Sequence, residues 1–178
     1  MKKIGIIIIT VLFFNTAFAQ QENADAVFEK VTKTYTLNED GSISYQYFKQ
    51  LTLLTHTAFN RFYGETFIVY NPEFHKLKIN TSYTIMANGT KVEAPENAFN
   101  EVLPSAAAHS ASFNHLREMV VTHTGLELGA TIYLDYTITT QKGYFPALMG
   151  NEIIQESSPV NEMEIVVKVP TDVELQHK

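Results

Sequence analysis

The sequence predicts an all-β protein, an antiparallel β-sandwich of about eight or nine strands with one long irregular loop. Three observations carry that prediction. Stretch after stretch alternates apolar and polar residues, the period-two signature of a half-buried strand. Turn signals such as Asp40-Gly41, Asn71-Pro72 and Asn88-Gly89 punctuate those stretches at short spacing. Twelve Phe and nine Tyr, with frequent Thr, Val and Ile, suit a pleated surface better than a helix.

Before the first strand stands a different kind of segment. Lys2 and Lys3 are followed by the apolar run Ile4–Phe14, and Ala17-Phe18-Ala19 has the small-x-small pattern read by signal peptidase. The run is too short to span ~30 Å of hydrocarbon as a helix. Cleavage is expected after Ala19, and no Cys follows to carry a lipid. The domain plan is therefore a signal peptide over 1–19, a flexible N-terminus over 20–26 and a β-sandwich domain over 27–178. The expected location is exported, periplasmic or extracellular. Without Lys2 and Lys3 the 13 basic residues fall to 11 against 19 acidic, a formal charge of −8. Such a balance argues against nucleic acid and anionic membranes as partners, because both need basic patches. The chain has no cysteine, which removes thiol chemistry, thiolate metal sites and disulfides together.

Val27–Leu37 reads as the first strand, with Asn38-Glu39-Asp40-Gly41 as its turn and Ser42–Leu54 as the return arm. Thr55–Tyr63 is a short helix or a loop. Glu65–Tyr70 is a strand broken by Pro72, which fixes φ and extends Asn71. Phe74–Val92 is expected to be the central hairpin. Leu77, Ile79, Tyr83 and Ile85 share odd parity and face the core; Lys76, Lys78, Asn80, Ser82 and Thr84 face solvent or a partner domain. Its turn at Asn88-Gly89 is expected to be type I′, which needs φ > 0 at both residues. Glu93–Ser112 is the long irregular segment, within which Ala98, Phe99, Val102 and Leu103 fit one amphipathic helical turn. Arg117–Thr124 is a strand, Gly125 and Gly129 bracket a turn, and Ile132–Thr140 alternates again. Gln141–Glu156 is loop-like. Met163, Ile165, Val167 and Val169 make a last alternating strand, and Val173-Glu174-Leu175 begins a further one.

Chemistry-bearing patterns are sparse. Six histidines (His56, His75, His109, His115, His123 and His177) show no His-x-His or His-x3-His spacing. His109 and His115 face each other only across a loop. No Gly-x-Ser-x-Gly elbow occurs, and Glu152 with Glu156, or Glu162 with Glu164, read as solvated faces. Asn80-Thr81-Ser82 and Asn88-Gly89-Thr90 match the glycosylation sequon by chance, given that Cys-free export points to bacteria. Aromatic residues are dense from 45 to 70, either as core or as a face for a ligand. The residues singled out as a ligand or partner surface are Tyr45, Tyr47, Phe62, Tyr63, Tyr70, His109 and His115. No catalytic residue, metal or cofactor is expected.

The order of these features resembles a known family. Tyr35-Thr-Leu-Asn-Glu-Asp-Gly-Ser42 leads into a long strand. Tyr70-Asn-Pro-Glu-Phe-His-Lys-Leu-Lys-Ile79 and Asn88-Gly-Thr-Lys-Val92 follow. Leu116-Arg-Glu-Met-Val-Val-Thr122 and Thr124-Gly-Leu-Glu-Leu-Gly129 come next, and Ser158-Pro-Val160 precedes the last strand and Val169-Pro170. Over roughly Val27–Lys178 the chain resembles the domain of unknown function found N-terminal to transglutaminase-like, papain-like modules in exported bacterial proteins. The resemblance implies a β-sandwich accessory domain, with a Cys-His-Asp catalytic part beyond Lys178. Without a Cys, this chain inherits no nucleophile. The expected role is noncatalytic: packing against, or presenting substrate to, a following domain of the same protein. The alternative is a free-standing module that binds peptide or glycan.

Overall fold

The computed structural model describes residues 24–171 apart from 108 and 151. The signal peptide, His177 and the strand expected at Val173-Glu174-Leu175 lie outside the described residues. Nine strands form among those described: β1 Ala26–Leu37, β2 Ile43–Leu53, β3 Glu65–Tyr70, β4 His75–Ile85, β5 Lys91–Glu93, β6 Phe99–Val102, β7 Arg117–Thr122, β8 Thr131–Thr140 and β9 Met163–Lys168. They make a six-stranded sheet in the order β5-β4-β8-β2-β1-β9 and a three-stranded sheet in the order β3-β7-β6. The fold is the all-β sandwich that the alternation implies. β1 starts at Ala26, which is fully buried, one residue before the strand start expected at Val27.

Cross-strand register shows which residues share the inner face of the large sheet. Lys33 pairs with Tyr47, Tyr47 with Tyr136 and Tyr136 with Ile79, while Tyr35, Tyr45, Ile138 and Leu77 form the next row. Two apolar clusters lie on this face. Ala26, Phe28, Val31, Leu51, Leu53, Ala58, Tyr63 and Ile132 pack beneath a single π turn, Ala58–Phe62. Ile68, Val121 and Leu134 join the small sheet to β4 and β8, with Leu77, Ile79 and Phe99 packed around them. Complete burial of Leu51, Leu53, Ile132 and Leu134 contributes about 1.5–3 kcal/mol each relative to exposure.

The hairpin at Phe74–Val92 departs from its expected form in three ways. It lies at the edge of the large sheet; β8 and β2 hold the centre. Its parity reverses midway, because Ile79 opposes Tyr136 while Thr81 opposes Asp135, leaving Asn80 as the extra residue of a β-bulge. The cause lies on the outer face, where Asn80 Nδ2 donates to Asp135 Oδ1 and Thr137 Oγ1, both at 2.8 Å. Beyond the bulge Ser82 and Thr84 turn inward and are buried, although both were expected to face solvent. Those bonds also occupy the amide that a glycan at Asn80 would need. Finally, only Gly89 has positive φ. Gly89 N donates to Met86 O and Met86 N to Thr90 O, so a type I turn with a glycine bulge replaces the two-residue I′ turn. The β1–β2 turn repeats this design, with Gly41 N donating to Asn38 O and Asn38 N to Ser42 O.

Two further segments differ from expectation. Phe99–Val102 is a strand rather than a helical turn. A 3₁₀ turn over Glu96–Ala98 buries Ala98 and delivers Phe99 to the open edge of β7, opposite Val121. β9 forms where alternation places it, but it pairs in parallel with β1 at the sheet's edge. Met163 packs against the core, whereas Ile165 and Val167 stay about two-fifths exposed. The Gly-Leu-Glu-Leu-Gly stretch is structural. Gly125 has φ +71 and any Cβ there would meet Val92 at 3.0 Å. Glu127 Oε1 caps the Ala87 N–H at 2.9 Å, and Gly129 N donates to Leu53 O. The stretch ties the β4–β5 tip to the β2–β8 pair.

Candidate functional site

Lysines occupy two inward positions of the large sheet, where alternation calls for an apolar residue. Lys33 follows Val31 in parity, and Lys49 stands between Tyr47 and Leu51. Each creates a polar centre in the interior.

Lys33 Nζ lies 2.9 Å from Glu152 Oε2 and 3.3 Å from Glu156 Oε1. The two carboxylates expected to be solvated are instead drawn onto the sheet, with four-fifths of each side chain covered. A buried lysine cannot stay charged alone, so the 141–156 segment brings it two anions. Burial by itself would lower the Lys33 pKa; the hydrogen bonds and charges of Glu152 and Glu156 outweigh it and hold the pKa above its ordinary value. The Tyr35 hydroxyl also donates to Glu152. Tyr35, Tyr45, Tyr136 and Tyr47 form a run of rings with successive centroids 5.0, 6.5 and 5.4 Å apart. Burial raises the hydroxyl pKa of each, with Tyr136 reaching about 12. These hydroxyls stay protonated at neutral pH. Of the four, the Tyr35 hydroxyl is the one with a described hydrogen bond, to Glu152.

Lys49 is more deeply enclosed. Its Nζ donates to Thr66 Oγ1 at 2.7 Å, and Thr66 Oγ1 lies 2.9 Å from His123 Nε2. Burial lowers the Lys49 pKa to about 8, against a smaller upward pull from Glu156. Burial, with the Lys49 charge, lowers His123 to about 3, so its ring is neutral across the physiological range. An ammonium has only protons to give. Thr66 Oγ1 accepts from Lys49 and keeps one O–H to donate; with His123 Nε2 as its acceptor, the ring proton lies on Nδ1. Among the described residues that Nδ1 has no hydrogen-bond partner. His123 also lines an open groove of about 400 Å³ with Phe59, Phe62, Phe67, Leu126, Arg61 and Glu65.

The residues singled out from sequence separate into three groups. Tyr45 and Tyr47 belong to the inner tyrosine run. Tyr63 and Tyr70 are also interior: Tyr63 packs edge-on against Phe28 and bonds Ser157 and Ser158 through its hydroxyl, and the Tyr70 hydroxyl donates to Glu101. His109 and His115 are exposed and enter none of the described side-chain hydrogen bonds. No group of three metal-ligating residues occurs among the described residues. Of the seven, Phe62 alone stands in an open concavity, with Arg61 set over its ring at 5.7 Å. Lys33, Lys49, Glu152 and Glu156 were missed because exposure was assumed for charge; lysine at inward parity was the available signal. His123 carried none, since its partners sit on other strands.

Two groups stand out among the exposed large apolar side chains. On the outer face of the small sheet are Phe67 and Val69 of β3 with Val102 of β6. On the loop before β9 are Met149, Ile153 and Ile154, the last two about three-quarters exposed.

Comparison with known proteins adds the following. The model of a family described as a domain of unknown function with solved structure, DUF3857, matches residues 39–178. The crystal structure of a candidate protease from Parabacteroides distasonis is 57% identical to this chain, with a TM-score of 0.79. The match covers 83% of this chain but 29% of that one. A cellulosomal scaffoldin CBM3a-L domain with flanking linkers, from Clostridium thermocellum, overlaps 75% of this chain and 80% of its own at 12% identity. Its TM-score of 0.33 is too low to carry an argument. No curated protein matches.

Proposed function

Because the chain belongs to the DUF3857 family of domains of unknown function, we propose that it is an exported, noncatalytic accessory domain of a larger hydrolytic protein. In this reading it packs against, or presents substrate to, a downstream transglutaminase/protease-like domain. The carrying observation is the 57% identity to a stretch that makes up 29% of a longer candidate protease. Two features of the chain support it. It holds no cysteine nucleophile, and Lys33, Glu152 and Glu156 are paired with one another. The exposed stripe of Phe67, Val69 and Val102, and the Ile153-Ile154 loop, are surfaces of the kind that other domains cover.

The test has two arms. The secreted chain is sequenced from its N-terminus, with Gln20 expected first. The chain is then assayed on fluorogenic peptides, alone and joined to whatever its gene encodes next. Hydrolysis by the isolated chain would overturn the noncatalytic reading, and a stop codon after Lys178 would overturn the downstream domain.

A further inference from the structure

We propose that the groove beside the π turn is a binding site for an aromatic side chain of an uncharged peptide segment, with His123 donating to the peptide's carbonyl. The inference goes beyond the accessory role and stands whether or not a catalytic domain follows.

Four observations carry it. The groove, at about 400 Å³, has the size of a small-ligand site. Phe59, Phe62, Phe67 and Leu126 give it an apolar lining. Phe62 and Phe67 are each more than half exposed, so part of each phenyl ring stands in water. His123 is 5% exposed, and its Nδ1–H is left without a partner by the proton order Lys49 to Thr66 to His123. That nitrogen is not among the buried atoms without a partner, so it is open to the groove, where an acceptor on a ligand can take the place of water.

The electrostatics select the ligand's charge. Arg61 and Glu65 both line the groove, and behind it stand Lys49 and the carboxylate of Glu156 that acts on it. In the lining itself one cation, Arg61, is matched by one anion, Glu65, which favours a neutral occupant. The Lys49–Thr66–His123 chain runs in one direction and polarises the final N–H toward an acceptor. A peptide offers both parts: a ring for the phenylalanines and a carbonyl for Nδ1–H. A glycan fits less well, because its many hydroxyls ask for several converging polar groups and the groove supplies one buried donor.

The experiment uses the chain from Gln20 to Lys178, isotope-labelled for NMR, with N-acetyl-phenylalaninamide as probe at millimolar concentration. The expected result is saturable shifts at His123 Nδ1 and at the Phe62 and Phe67 rings. N-acetyl-glycinamide should leave them unmoved. Phe67→Ala should weaken the probe's binding about 3- to 10-fold, the worth of one aromatic contact. The exposed position of Phe67 keeps that variant folded, which its amide spectrum verifies. Absence of shifts at these three residues overturns the proposal, as does equal binding of the glycine probe or an unchanged Phe67→Ala affinity. Tighter binding of chitobiose at the same residues would reassign the groove to glycans.

Discussion

Lys49→Met should make the protein more stable. The ammonium is held in the interior with one hydrogen bond, to Thr66, and burial depresses its pKa from 10.5 to about 8. Each unit of that shift is about 1.4 kcal/mol, so the charged lysine costs folding roughly 3 kcal/mol at pH 7. The sign follows from proton counts. Between pH 8 and 10.5 the unfolded chain binds more protons at Lys49 than the folded one, so stability rises with pH. The penalty is complete below about 8 and fades as pH climbs toward the unfolded value. From pH 8 to 9.5 the gain from this residue is about 1.5 kcal/mol. Ionisation of unfolded tyrosines, whose ordinary value is 10, begins near the top of that window and offsets part of the gain in wild type and variant alike, so the slope is read as the difference between the two. Methionine fills the lysine stem's volume without the charge but loses the bond to Thr66, worth about 1 kcal/mol. The net expectation is roughly 2 kcal/mol of stabilisation at pH 7. Urea denaturation across pH 7–9.5 is the assay: Lys49→Met should be higher at pH 7, and wild type should gain on it as pH rises. Parallel profiles over this window, or a Lys49→Met variant that is less stable at pH 7, would refute the reasoning.

Other outcomes follow from the same structure. Ser82 Oγ is buried with no hydrogen-bond partner, so Ser82→Ala should raise stability by up to about 1 kcal/mol in thermal denaturation. Ser82→Asp should unfold the domain, whereas Thr81→Gln, on an exposed side chain and uncharged opposite Asp135, should shift stability by about 0.5 kcal/mol or less. Gly125→Ala should cost more than Gly89→Ala by calorimetry. Both carry positive φ, worth about 1–2 kcal/mol of strain, but only at Gly125 does the new methyl press on Val92; at Gly89 nothing lies within 4 Å. Lys33→Met should leave Glu152 and Glu156 without their counter-charge and release the preceding loop. Limited proteolysis should then cut between Tyr144 and Glu156 faster than in wild type, and an unchanged rate would show that the ion pairs do not hold the loop.

The fold was legible where local chemistry and tertiary demand agree. The alternation of Ile43–Leu53 and Ile132–Thr140 survives because both strands lie mid-sheet with one face on the core. It misled in β4, where the outward amide of Asn80 found Asp135 and Thr137 and inserted a residue. No local pattern contains those partners, which lie 55 and 57 positions away. β6 was hidden for a related reason, since its four residues become a strand only because β7 offers an edge. The site was less legible than the fold. An aromatic count from 45 to 70 cannot separate Tyr47, inside the sandwich, from Phe62, outside it. The polar interior was foreshadowed by Lys33 and Lys49 at inward parity, but their partners Glu152, Glu156 and Thr66 come from other elements.

The parallel seat of β9 beside β1 also orders events in time. β1 and β2 can close as a hairpin as soon as both exist, because their turn is five residues from Asn38 to Ser42. The other edge of β1 must wait for a strand more than a hundred positions later, where Val31 meets Met163 and Tyr35 meets Val167. Loop closure over such a distance is the slow, entropy-limited part of folding. Until then a growing chain carries an open strand edge bearing Val31, Lys33 and Tyr35, the sort of edge that recruits foreign strands. In that interval Lys33, with Glu152 and Glu156 not yet in place, is an unpaired charge on the open edge, and a charge at an edge disfavours pairing with a foreign strand. One lysine thus has two settings, a bare charge on the open edge and the centre of an ion-pair cluster in the finished fold.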